Sequence, residues 1–274
     1  MKKIIIGIHG LSNKPKADLL SKGWELAIKE GLSKNYKIDN PNINFESVYW
    51  ADVLYEEADT NADLYKEAES GAIKSYKENW LDHVREGIFE WGGDILDKMH
   101  ESCGVNVIGN KILETKLPDL SKYYKDDNIQ KELRKRLEKV ILDNVDKKIM
   151  LISHSMGSII AYDVLREIGR KYPLLVINHF ITMGSPLGIP QVRYKISQEN
   201  ALVRTPTVVA KWSNFSDKRD PVAIDISLAD DYEANDSGVQ VKDTLVANDW
   251  GVIHHKSYGY LRTPEVSKVI RNFI

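Results

Sequence analysis

Apolar residues recur along the chain in two rhythms, and the rhythm changes twice. Ile4 to Ile8 is a short β-branched run, the pattern of a strand buried on both faces of a parallel sheet. Beyond the polar loop Ser12-Asn13-Lys14-Pro15, Leu19, Leu20, Trp24, Ala27, Ile28 and Leu32 fall at helical spacing. Phe45 to Trp50 predicts a second strand. The opening segment therefore reads as strand, helix, strand, the unit from which parallel sheets are built.

From about residue 52 to 146 the pattern predicts no strand. Ile73, Tyr76, Trp80, Val84, Ile88, Trp91 and Ile95 step by three and four residues, predicting an amphipathic helix that Gly92-Gly93 interrupts or bends. Ile129, Leu133, Leu137 and Val140 predict another. Residues 52–146 read as a helical insertion, a lid or cap, inside one domain spanning 1–274. The first rhythm then returns. It predicts a strand over Lys148 to Ser153, a helix over Ser158 to Arg170 and a strand within Leu174 to Met183. A further strand over Thr207 to Trp212, a hairpin around Asn235-Asp236-Ser237-Gly238 and a last helix follow, the helix capped by Thr263 with Pro264 in its first turn. The predicted fold class is α/β: a mostly parallel central sheet flanked by helices, with a lid-like helical insertion.

Composition narrows the function. Hydrophobic residues make up 42% and charged residues 28% of the chain, the balance of a globular domain that buries its core without disulfides or metals. A net charge of -2 supplies no field for nucleic acid or an acidic membrane. The mixed run Lys131 to Arg136 reads as a solvated helix face. The single cysteine, Cys103, has no CxxC context and forms no intramolecular disulfide, which fits a reducing compartment. The apolar run after Lys2-Lys3 stops at His9 with no small-residue cleavage site, so it reads as a core strand rather than a signal segment. No run reaches the roughly 18 apolar residues of a membrane span. The expectation is a cytoplasmic protein with no nucleic-acid partner and no stable membrane insertion.

The chemistry concentrates in Ser153-His154-Ser155-Met156-Gly157, set between an apolar strand and the apolar helix start Ile159-Ile160-Ala161-Tyr162. A serine on a sharp strand-to-helix turn needs small residues two before and two after it. Gly157 meets that demand, and Ser153 stands where glycine is usual. Such a serine needs a base, and the base needs an orienting carboxylate. Downstream, Asp217 and Asp220 follow the predicted Thr207 to Trp212 strand, and Pro221 stiffens the loop after Asp220. His254 and His255 precede the last helix. Their pairing also suits a metal, but no third ligand stands nearby at suitable spacing. Neither GxGxxG nor GKS/GKT follows the first strand, which argues against nucleotide binding.

Taken together, His9-Gly10-Leu11 after an early strand, Ser155 on its elbow, an aspartate after a later strand and a histidine before the last helix resemble the α/β-hydrolase superfamily, in particular lipase- and esterase-like serine hydrolases. The resemblance covers about residues 4–50 and 145–270. It implies Ser155 as nucleophile, Asp220 (Asp217 being the rival) as acid, and His255, chosen for its spacing to Tyr258 with His254 as rival, as base. It implies the backbone N–H groups of Leu11 and Met156 as oxyanion-hole donors. It also implies cleavage of a small-molecule ester or lipid-like substrate without a cofactor. Thioesterase, amidase and acyltransferase chemistry share the same triad, and a non-catalytic binding protein of this fold is the alternative of a different class. Gly184-Ser185-Pro186-Leu187 also resembles a segment of lipase-like hydrolases, with no chemistry assigned to it.

Overall fold

Strands β1 (Lys3–Ile8), β2 (Phe45–Val48), β3 (Lys148–His154), β4 (Ile177–Met183), β5 (Trp212–Ser216) and β6 (Val241–Leu245) form a six-stranded sheet in the order β2-β1-β3-β4-β5-β6. Every neighbouring pair is parallel. The computed structural model describes residues 1–78, 117–223, 225–252 and 254–274.

The β-branched runs explain the two-sided burial. Along β1, Ile4, Ile6 and Ile8 point into one core and Ile5 into the other; along β3, Ile149 and Leu151 join the first, Met150 and Ile152 the second. Period-2 alternation thus feeds two cores. Helices α1 (Ala17–Tyr36), α6 (Ser257–Leu261) and α7 (Pro264–Phe273) close one face through Trp24, Ile28, Leu261 and Ile270. Helices α2 (Pro118–Lys125), α3 (Asp127–Leu142), α4 (Met156–Lys171) and α5 (Pro190–Asn200) close the other. Gly7 carries no side chain because Trp24 and Phe45 fill its place: a Cβ there would lie 2.8 Å from both rings.

Within the 52–146 stretch, α3 lies against β1 and β2 and is part of the crossover from β2 to β3, and α2 packs on α3. Asp126 caps α3, accepting the N–H groups of Asn128 at 2.9 Å and Ile129 at 3.2 Å. Of the helix expected over Ile73 to Ile95, residues 73–78 have no regular structure, and the remainder lies outside the described residues, as does Cys103. Among the described residues no helix is long and apolar enough to cross a membrane.

Two other expectations need correcting. The strand anticipated over Thr207 to Trp212 instead begins at Trp212. Pro206 bends the preceding apolar stretch into a turn, with Val209 N–H bonding Pro206 O at 3.0 Å, and only one bridge joins Val209 to Ile177. The true strand is polar in sequence but satisfied in place. Asn214 accepts from Thr182 and donates to Asp243, each at 2.8 Å. Its partner β6 has no counterpart among the sequence expectations. The hairpin around Asn235 to Gly238 is a closed turn without paired strands: Gly238 N–H bonds Asn235 O, and Glu233 pairs in parallel with Arg204.

A buried cation ties one helical layer together. Arg134 on α3 donates to Tyr123 at 2.7 Å, to Asp163 at 2.7 Å, to Glu167 at 2.6 Å and to Glu199 at 2.5 Å, joining α2, α3, α4 and α5. Asp163 is only 3% exposed, so its charge depends on this partner. Arg134→Ala is expected to cost about 3–5 kcal/mol by stranding that carboxylate. A urea unfolding midpoint that stays near wild type would refute the assignment.

Candidate active site

The sheet order reverses between β1 and β3: β1 leads outward to β2, and β3 leads outward to β4. In open α/β sheets the crevice at the carboxyl ends of such strands is where ligands bind. Here the loop after β1 carries Gly10 and Leu11, and the turn after β3 carries Ser155.

Ser155 sits at φ 53°, ψ −132°, a left-handed conformation that a side-chain-bearing residue adopts only under constraint. The constraint is visible. Its N–H is held by Met183 O at 3.0 Å, and its carbonyl accepts the Ser158 hydroxyl at 2.6 Å. Ser158 in turn meets Ser185 at 2.7 Å, so the Gly184-Ser185-Pro186-Leu187 segment braces the turn. Ser153, where glycine is usual, fits because its hydroxyl donates to Ile181 O at 2.9 Å across the sheet. Gly157 is required by contact: a Cβ there would collide with His9 O and lie 2.8 Å from Ile8 O. Gly10 is required likewise, since its Cβ would come within 2.5 Å of the Ser155 Cβ.

The structure brings Ser155, His255 and Asp220 into one hydrogen-bonded line. The Ser155 hydroxyl lies 3.0 Å from His255 Nε2, and His255 Nδ1 lies 2.8 Å from Asp220 Oδ2. A carboxylate accepts only, so Nδ1 carries the proton and Nε2 is free to receive the serine's. Asp220 Oδ1 accepts the N–H groups of Val222 at 2.8 Å and Ala223 at 3.4 Å, which fixes the carboxylate plane. Ser155 has no exposed surface, whereas 14% of the His255 side chain is exposed.

The rivals are engaged elsewhere. Asp217 accepts Arg219 at 2.9 and 2.7 Å and the Asn248 N–H at 2.6 Å. His254 Nδ1 donates to Asn248 O at 2.7 Å. Among the described residues no group of three His, Cys, Asp or Glu is placed to hold a metal.

Met156 follows Ser155 and Leu11 follows Gly10, which lies against Ser155; among the described residues neither backbone N–H has an acceptor. Met156 opens α4, where N–H groups lack intrahelical partners. His9 shapes the Leu11 loop from beneath. Its Nε2 accepts the Trp50 N–H at 3.0 Å and its Nδ1 donates to Gly10 O at 2.9 Å. Burial, reinforced by the Lys14 charge, lowers its pKa to about 3, so the ring stays neutral.

Three residues were given no role from the sequence. Tyr260 donates to Asp220 Oδ2 at 2.7 Å and accepts the Asp217 N–H at 3.0 Å. Tyr258, whose spacing guided the choice of histidine, packs instead against Trp250 and Tyr65. His154 donates Nε2–H to the His255 carbonyl at 2.6 Å, and burial lowers its pKa well below the usual histidine range. Gly184, at φ 52°, leaves room for Asp220, whose Oδ2 would lie 2.6 Å from a Cβ there. Only the glycine had a signal, its place at the end of a predicted strand.

Over residues 119–198 the chain matches the family model for lecithin:cholesterol acyltransferase. The match runs from α2 through β3, the Ser155 turn, α4 and β4 into α5, and ends before Asp220 and His255. That family is of the α/β-hydrolase type, lipases and acyltransferases, and the six-stranded parallel sheet flanked by helices is consistent with the same fold. No curated protein matches the chain.

Tyr260→Phe removes a donor from Asp220 and orphans the buried Asp217 N–H, so a stability loss of about 1–3 kcal/mol is expected. Chemical denaturation checks it, and an unchanged midpoint would show the hydroxyl to be dispensable.

Proposed function

We propose that the protein is a serine hydrolase that cleaves carboxylic esters of lipid-like molecules through an acyl-serine intermediate. One observation carries this reading: the continuous hydrogen-bonded line from Ser155 through His255 to Asp220. The preference for lipid esters rests on the family match over the nucleophile turn.

Ser155 Oγ attacks the ester carbonyl as its proton passes to His255 Nε2. Asp220 holds the imidazolium that forms and keeps Nδ1 protonated. The carbonyl oxygen becomes an oxyanion, and the Leu11 and Met156 N–H groups receive it. Collapse breaks the bond to the alcohol, which leaves with the proton from His255. Water then repeats the sequence on the acyl-serine, releasing the acid and restoring the hydroxyl. His9 and His154 take no part in proton transfer, since both remain neutral.

A second reading has its own support. The matched family is one of acyltransferases, so an alcohol acceptor in place of water would yield a new ester from the same acyl-serine. Adding a long-chain alcohol or sterol to the assay separates the two by the ratio of ester to free acid formed.

A fluorophosphonate probe is expected to label the wild type and to leave Ser155→Ala untouched. Asp220→Asn is expected to lower kcat by about 10⁴-fold, in line with loss of the tautomer-fixing carboxylate in a serine triad. His254→Ala is expected to retain labelling, whereas His255→Ala is expected to lose it. A folded wild type that takes no probe and turns over no ester would instead indicate a binding protein.

A further inference from the structure

The loop that carries Leu11 is pinned at every peptide unit, and one side chain does most of the pinning. Lys14 turns back on its own loop, and its ammonium donates to the carbonyls of Leu11, Ser12 and Asn13, the latter two at 3.0 and 3.5 Å. From the other side, Asp119 on α2 accepts the Ser12 N–H at 2.6 Å and is itself held by the Tyr55 hydroxyl at 2.8 Å. His9 fixes Gly10 O, the carbonyl of the peptide whose N–H belongs to Leu11. Ser12 lies at φ 71°, so the loop is not a relaxed turn. Three carbonyl oxygens converging on one point repel one another unless a cation sits among them.

We infer that Lys14 is a positioning residue for the oxyanion hole, its ammonium gathering the loop carbonyls so that the Leu11 N–H points at the reacting oxygen. The inference rests on the serine-hydrolase reading above. The same charge lies close enough to act on the site, since it disfavours a second positive charge at both His9 and His154.

Lys14 is also placed to make the hole sensitive to pH. Burial lowers its pKa to about 8, and Lys256, beside His255, pushes in the same direction. Asp119 on α2 and Asp59, in the segment after β2, pull the other way. His9 at the end of β1 and His154 at the end of β3 contribute no charge. Above a pH of about 8 the ammonium loses its proton, the carbonyls lose their cation and the loop loses its clamp.

The test is the pH profile of kcat and KM on p-nitrophenyl butyrate, with uncatalysed hydrolysis subtracted, for wild type, Lys14→Gln and Lys14→Arg. Wild type is expected to lose kcat as pH rises through about 8. Lys14→Gln is expected to lose kcat at least about ten-fold at all pH values, below the roughly 10²–10³-fold cost of deleting an oxyanion donor outright. Its KM should change little, and it should show no alkaline decline. Lys14→Arg stays charged throughout, so it should outperform Lys14→Gln and carry the decline to higher pH. If Lys14→Gln fails to fold, the arginine variant decides alone: an alkaline limb in the wild-type position overturns the inference. Wild-type kcat in Lys14→Gln, with wild type labelled at Ser155, overturns the clamp and leaves the hydrolase reading standing. A wild type that neither turns over ester nor takes a fluorophosphonate overturns both.

Discussion

At Gly157 the first turn of α4 meets the last carbonyls of β1, with no room for even a methyl group between them. This contact between two backbones is the constraint on which the site depends. It seats the turn after β3 directly on the loop after β1, bringing Ser155 against Gly10. Side-chain packing tolerates adjustment of tenths of an ångström, whereas backbone against backbone does not. The unfavourable φ of Ser155 persists because both neighbouring strands and the Ser158–Ser185 pair hold the turn where relaxation is blocked.

Around that contact, burial sorts histidines into different kinds. His9 and His154 are enclosed, and the cost of a charge in a dry site keeps them neutral, so they act as rigid hydrogen-bonding braces. His254 is tied to a backbone carbonyl. Among the described histidines, His255 alone combines a carboxylate on one nitrogen, a serine hydroxyl on the other and some access to solvent. His154 links these levels, because it precedes the serine in the chain and holds the carbonyl of the histidine that faces it.

Much of this was legible in the chain before its structure. The Ile-rich runs announced buried parallel strands, and the order of Gly10, Ser155, Asp220 and His255 anticipated which residues meet. What escaped has physical causes. The start of β5 is hidden because apolar Thr207 to Ala210 looks more like a strand than Trp212 to Ser216, whose polar side chains are satisfied by His179, Thr182 and Asp243 on neighbouring strands and by each other. Tyr260 escaped because a helix of five residues aims it at Asp220, whereas chain spacing pointed to Tyr258. Lys14 reads as an ordinary loop lysine until its side chain is seen to double back. Contacts that depend on how distant segments are aimed leave no periodic trace.

The sheet order also bears on how the chain is made. β1 is made before the other five strands yet lies inside the sheet, and its second partner, β3, does not begin until Lys148. Until β3 is synthesised, one edge of an isoleucine-rich strand stands open, the kind of edge that pairs with other chains. Domains with such long-range pairings fold slowly and leave apolar edges uncovered in the meantime. Asp220 and His255 come later still, so a nascent chain acquires its nucleophile turn well before the residues that complete the triad. The protein is thus exposed to aggregation until β3 is made, and its candidate site is complete only once His255 has followed.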